Sequence, residues 1–298
     1  MQISNLATED RSRSTVFLVA AFIIYWLIAL RLDIGTDALG QFFLSLTAWA
    51  FLLFSLRFSP WSERGQVLTM IVVATCGEVF GSLILGAYTY RLDNLPMFVP
   101  PGHGLFYLYA LRASELPLFQ RHTGSLRWCA FFGSTALLLP GLLVPTHPDL
   151  FGLITWIGFM VCLMRSASPM YSISFALTMA LEYYGTGLGN WRWAAELPII
   201  GIPSANPPAC IGVGYCVMDA VTRLLAPKVQ GLITSQKVFE FRQKVNFGTL
   251  RRHLVSRSMA LQTAQAPPPD DERMSSRSIL QQKVEGLSSG KTTPSSHV

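Results

Sequence analysis

The sequence predicts an all-α, polytopic membrane bundle of about eight transmembrane helices, built as two parallel four-helix repeats. Three observations carry that expectation. The chain holds few charges, its apolar residues fall into runs of membrane-spanning length, and one motif occurs twice in the same order.

Of 298 residues, 51% are hydrophobic and 13% charged, against about a quarter charged in a soluble domain. The charges are also unevenly placed. Residues 1–226 carry 12 basic and 12 acidic side chains, whereas 227–298 carry 11 and 5, the source of the whole formal +6. A neutral apolar body followed by a basic tail reads as a membrane domain with a cytoplasmic extension. The tail carries no recognised nucleic-acid-binding fold, so no nucleic-acid partner is expected. The five cysteines lie inside apolar runs with no metal or redox spacing, and read as free buried thiols.

A bilayer core of about 30 Å takes about 20 apolar residues per helix. Runs of this kind fall at 14–30, 38–56, 66–85, 97–114, 126–144, 150–164, 169–185 and 207–225. No A-x-A-like cleavage site follows the first, which is therefore expected to be an uncleaved span. Positive charges in alternate loops give the orientation. Arg11, Arg13, Arg57, Arg64, Arg112, Arg121, Arg127 and Arg165 lie on the side of the basic tail; Arg31, Arg91 and Arg192 lie on the other. Both termini are expected in the cytoplasm, with the chain in the plasma (inner) membrane.

The domain organisation follows: a transmembrane domain over 1–226, with repeat halves at about 14–115 and 126–226, a basic amphipathic segment over 227–262 and a disordered tail over 263–298. Within the basic segment, Phe239, Phe241 and Phe247 among cationic residues suit either anionic lipid headgroups or the cytoplasmic face of the bundle.

The repeated motif is the most informative feature. Its first copy runs Glu78-Val-Phe-Gly81, Gly86-Ala-Tyr88-Thr-Tyr90, Leu95-Pro96, Val99-Pro100 and His103. Its second runs Glu182-Tyr-Tyr-Gly185, Gly189-Asn-Trp191-Arg-Trp193, Leu197-Pro198, Ile202-Pro203 and Asn206. The offsets between the copies stay between 102 and 104 residues. Four spans per half give both copies the same orientation, as in parallel transporter repeats.

At 1.5 Å per residue, Glu78 and Glu182 lie about 18 and 20 Å along their helices, in the outer half of the membrane beside the motif loops. A carboxylate inside a bilayer costs about 2.5–3.5 kcal/mol, and burial with mutual proximity favours the protonated acid. Two acids at matching positions point to a shared internal site. The competing reading is that each ties neighbouring helices together by hydrogen bonds. Tyr88, Tyr90, Trp191 and Trp193 suit either a substrate cage or interfacial anchoring. His103 and Asn206 occupy equivalent positions where the chain re-enters the membrane, and suit hydrogen bonding or proton relay. Gly81 and Gly185 suit close helix contact. The pairs Asp219/Arg223 and Arg112/Glu115 are spaced for local ion pairing along a helix. No metal is expected from one imidazole without HxxxH or ExxH spacing, and no motif implies a cofactor.

The pattern Glu-x-x-Gly, Gly-x-Tyr-x-Tyr and a proline loop over 78–103, echoed over 182–206, resembles the integral membrane carotenoid-biosynthesis family, which includes the carotenoid 1,2-hydratases. Asn190-Trp191-Arg192-Trp193 and Asn206-Pro207-Pro208 depart from that pattern. The resemblance implies acid chemistry on an isoprenoid double bond by a hydratase (hydro-lyase) or isomerase. Glu78 and Glu182 would act as acid and base, His103 and Asn206 would position water or proton, and the aromatic faces would stabilise a carbocation. A proton-coupled transporter and a membrane binding or scaffold protein are the competing classes.

Overall fold

The structure is a computed structural model that describes residues 2–146 and 148–234 of the chain. The basic segment expected from 227 continues as helix to Thr234; its remainder and the tail 263–298 lie outside the described residues.

Helices dominate. They are α1 (Gln2–Asp33), α2 (Ala38–Arg57), α3 (Trp61–Glu78) with a π-helical continuation (Val79–Ile84), α4 (Val99–Ser114), a short α5 (Pro117–Arg121), α6 (Thr123–Leu143), α7 (Leu150–Arg165), α8 (Met170–Leu188) and α9 (Val213–Thr234). Each expected apolar run overlaps one of them, the run 207–225 only from Val213 on. Four segments are long and apolar enough to cross a membrane: Ser14–Asp33, Ala38–Arg57, Trp61–Ile84 and Thr123–Leu143; Leu150–Arg165 is a shorter apolar helix. The outer surface exposes Phe17, Leu53, Phe54, Val72, Phe132, Leu143 and Met164. Apolar cover of that extent suits lipid rather than water.

The helices that fall short of that standard do so for a reason. α4 contacts α1, α2, α3 and α8, and its side chains over 105–110 are all buried. A helix enclosed by other helices needs no continuous apolar face, so it can carry Pro100, Pro101, His103 and Arg112. Arg112 donates to Glu63 Oε2 on α3 at 3.1 Å and to Ser59 Oγ at 2.7 Å. This replaces the expected local Arg112/Glu115 pair: Glu63 is nearly buried and offers a drier partner across the helix contact. Asp219 and Arg223 do pair within α9, at 2.8 Å.

Caps fix where the helices begin. Asp37 and Asp149 precede α2 and α7, and each accepts the backbone N–H three residues on, Gly40 at 2.9 Å and Gly152 at 2.8 Å. Asp149 also accepts from Ala205 N and Ala209 N, at 3.0 and 2.8 Å, which ties the approach to α9 onto the head of α7. Four short strands complete the fold. β1 (Tyr88–Tyr90) pairs antiparallel with β2 (Trp191–Trp193), and β3 (Glu196–Leu197) with β4 (Ile202–Pro203).

Candidate active site

The site is built where the two copies of the motif meet. At the end of α3 the backbone widens into the π-helical segment, a geometry that recurs at functional sites. Gly86 then turns the chain at φ +68°. In the second copy Gly189 ends α8 at φ +85°. Both motif glycines thus stand where the left-handed region is required.

The turns deliver β1 and β2 side by side, with Tyr88 opposite Trp193, Thr89 opposite Arg192 and Tyr90 opposite Trp191. Equivalent residues Thr89 and Arg192 face one another at the centre, as a local two-fold axis between the copies requires. Alternation along a strand then sends all four aromatics to one face, while Thr89 and Arg192 are exposed on the other. Asn190 anchors the ribbon, donating to Asp33 Oδ2 at 2.8 Å and to Leu30 O at 3.0 Å on α1. Arg91, at the other copy's strand end, also lies against Asp33, 3.6 Å from Oδ1.

Each acid is held by its own copy's aromatics. Tyr88 and Tyr90 both donate to Glu78 Oε2 at 2.7 Å. Trp191 and Trp193 both donate to Glu182 Oε2, at 2.9 and 3.0 Å. Burial and the nearby Glu78 carboxyl push both tyrosine phenols far above their usual range, so they serve as donors. Their polar atoms are therefore spent on the glutamates rather than on headgroups. Gly81 and Gly185 leave room for this: a Cβ on Gly81 would lie 3.0 Å from the Tyr88 ring, and one on Gly185 would lie 2.0 Å from the Trp191 ring. These glycines admit their own copy's first aromatic.

His103, the fifth residue of α4, places Nε2 2.9 Å from Glu78 Oε1. Tyr215, at the start of α9, places its hydroxyl 2.5 Å from His103 Nδ1. Glu78 Oε2 accepts from both tyrosines; with Glu78 ionised, the imidazole donates from Nε2 to Oε1 and accepts the Tyr215 proton at Nδ1.

Glu78, Glu182, His103, Tyr88, Tyr90, Trp191, Trp193 and Tyr215 all line one cavity of about 460 Å³. Its other walls are mainly apolar, among them Trp26, Phe98, Phe106 and Phe151. Asn206 is not a lining residue; its Oδ1 accepts from the Trp193 backbone N–H at 2.9 Å. The second copy thus uses the His103-equivalent position to hold the ribbon. No family model, curated protein or solved structure matches the chain.

Tyr215 and the Asp33–Asn190 anchor are the parts of the site that the repeat does not reveal. Tyr215 has no aromatic counterpart in the first copy, and its one sequence signal is a hydroxyl-bearing ring in the first turn of an apolar return helix. Among the described residues no group of three or more His, Cys, Asp or Glu side chains is placed to hold a metal ion.

Proposed function

We propose that the chain is an integral membrane enzyme that protonates a carbon–carbon double bond of an isoprenoid or other lipid, with hydration, cyclisation or isomerisation as the outcome. The observation that carries this reading is the convergence of two glutamates, each with its own pair of aromatic donors, on one largely apolar cavity. A volume of about 460 Å³ falls within the range of about 300–1,000 Å³ usual for small-molecule sites. It accepts the reacting part of a long chain whose remainder lies in the bilayer.

The acids differ in the roles open to them. Both indole N–H groups point at Glu182 Oε2, so a proton on Glu182 sits on Oε1. Glu78, with three donors, is suited to remain the carboxylate. Glu182 gives its proton to one alkene carbon; the π pair becomes the new C–H bond and leaves a carbocation on the other carbon. Tyr and Trp faces stabilise that charge. In hydration, water attacks the cation and loses a proton to the Glu78–His103 pair, so that the net change is addition of H₂O. In isomerisation, the pair removes a neighbouring C–H proton instead. The resemblance to the carotenoid 1,2-hydratases agrees with this chemistry. In the membrane we place the chain as two parallel four-span halves in the plasma membrane, with both termini cytoplasmic and the basic tail against anionic headgroups.

The test is untargeted lipid analysis of cells expressing wild type, Glu78→Gln or Glu182→Gln. A lipid pair that interconverts only with wild type is expected, and each substitution lowers product by about 10²–10⁴-fold. Identical lipid profiles in all three, with loss of a proton-driven solute uptake in the variants, would replace the enzyme by a carrier.

A further inference from the structure

Close contacts hold α3 and α9 together at one end. Gln230 Nε2 donates to Ser62 O at 2.9 Å, a Cβ on Gly65 would lie 2.5 Å from Gln230 Cγ, and Thr222 Oγ1 stands 3.9 Å from Met70 Sδ. The step forward on α3 from Ser62 to Met70 thus equals the step back on α9 from Gln230 to Thr222, as in an antiparallel pair. About two turns further along each helix stand Gly77 and Gly214, which both line the cavity. No contact bridges these two positions. A Cβ on Gly77 would meet nothing within 4 Å, and one on Gly214 would meet only Met218 of its own helix, at 3.7 Å. Glycine in a membrane helix ordinarily lets a neighbour come close, as Gly65 does. Gly77 and Gly214 face a gap instead.

The gap reaches the surface of the bundle. Gly77 lines the cavity and is itself exposed, and Gly214 and Met218 are half-buried. Ile200, another lining residue, is 64% exposed. One turn on from each glycine an apolar side chain stands outside, Phe80 at 58% and Val217 at 52% exposed. Gly77 belongs to Trp61–Ile84, a segment long and apolar enough to cross a membrane, where the surrounding medium is lipid. Behind the gap α4 closes the cavity, with the ring centroids of Phe106 and Tyr215 4.0 Å apart. Among the described residues that line the cavity none is Lys or Arg, and two are Glu. A phosphate or carboxylate on an entering molecule would be buried there without a counter-charge, at high cost.

We infer that the gap between α3 and α9 is a lateral entrance from the bilayer and the seat of the substrate's unreacted tail. The uncharged end of a long apolar chain passes Gly77 and Gly214 to reach Glu78 and Glu182. The rest of the chain stays between the two helices and in the lipid beyond them. The inference deepens the proposed function and rests on the cavity being the place of reaction. Gly77 and Gly214 are then specificity-determining residues, because their missing side chains set the width of the entrance. A chain that enters this way never leaves an apolar medium and so avoids the cost of exposure to water.

The experiment uses phosphatidylcholine liposomes holding the full chain, with hexadecane that carries a diazirine at one end. Light converts the diazirine to a carbene that marks what it touches, and peptide mass spectrometry locates the adducts. In wild type, adducts are expected on Tyr215 and Phe106, which line the cavity and are buried, and on Phe54 of α2, which is exposed outside. Gly77→Phe is expected to lower the Tyr215 and Phe106 adducts at least about tenfold relative to Phe54. Gly133→Phe leaves that ratio as in wild type: a Cβ there also meets nothing within 4 Å, but the residue is on α6 and does not line the cavity. If Gly77→Phe does not fold, Gly214→Leu narrows the entrance from the other helix and carries the same expectation. Cavity adducts at wild-type level in the folded variant, or none in wild type, overturn the entrance. Labelling needs no turnover, so either result is distinct from failure of the enzyme reading, which is seen in the lipid profile of Glu78→Gln.

Discussion

The two copies of the motif hold their acids with different chemistry, although each sends a three-residue strand into the same antiparallel ribbon. Tyrosine hydroxyls donate or accept, and Glu78 is further joined to the His103–Tyr215 pair. Tryptophan can only donate, and the position equivalent to His103 holds Asn206, which turns to the ribbon backbone. The first copy is therefore wired into a chain of exchangeable protons, while the second grips its acid by one oxygen. The two copies of the motif thus set two unlike carboxyl environments over one cavity, the contrast on which the proposed division into proton donor and acceptor rests.

The sharpest way to break that comparison is to truncate the two equivalent re-entry residues. His103→Ala removes the group joining Glu78 to Tyr215 and is expected to lower turnover about 10²–10⁴-fold. Asn206→Ala removes an acceptor from the Trp193 N–H and is expected to lower stability by about 1–3 kcal/mol while turnover stays within a few-fold. The checks are lipid product formation and thermal unfolding of the purified chain. Equal losses of turnover in the two variants would mean that Asn206 shares the chemistry.

A second contrast concerns the donors. Trp191→Phe with Trp193→Phe strips both indole donors from buried, protonated Glu182 and leaves its Oε2 without them, expected to cost near the upper end of about 1–3 kcal/mol. Tyr88→Phe with Tyr90→Phe leaves Glu78 bonded to His103 and is expected to cost about 1–3 kcal/mol. Urea unfolding in detergent measures both, and a larger loss for the tyrosine pair would reverse the ranking.

Much of this site was legible because a duplicated motif is its own alignment. Glycine, acid and aromatic positions recur at fixed spacing, and helical rise alone puts the glutamates at one depth. The donor function of the aromatics was not legible, because a ring beside a membrane reads equally as an interfacial anchor until its N–H or O–H is seen to face a carboxyl group. Tyr215 breaks the repeat and so carries no repeat signal, and spacing along one helix pairs Arg112 with Glu115 because it cannot register Glu63 on another helix. Asp37-x-x-Gly40 and Asp149-x-x-Gly152 were available as a further repeated signal, matching α2 to α7 through the same cap. Nor does hydropathy treat all helices alike: α4 is apolar where it touches neighbours but carries His103 and Arg112, so its central place emerges only from the three-dimensional fold.

The smallest contrast lies in the two motif glycines, and it separates ring size from helix contact as the reason for them. A Cβ at residue 81 would sit 3.0 Å from the Tyr88 ring, which a few tenths of an ångström of movement relieves. A Cβ at residue 185 would sit 2.0 Å from Trp191 Cη2 and 2.4 Å from two further ring atoms, so the indole must leave its place and loosen its bond to Glu182. Overpacking costs about 1–3 kcal/mol; Gly185→Ala is expected near the upper end and Gly81→Ala near or below the lower, both read as shifts in urea midpoint. If ring size is the cause, Trp191→Tyr, which brings the first copy's smaller ring to the second, restores part of the stability lost in Gly185→Ala. If the glycine serves contact with a neighbouring helix, the second substitution gives no recovery, and the ring at position 191 is not what requires glycine at 185.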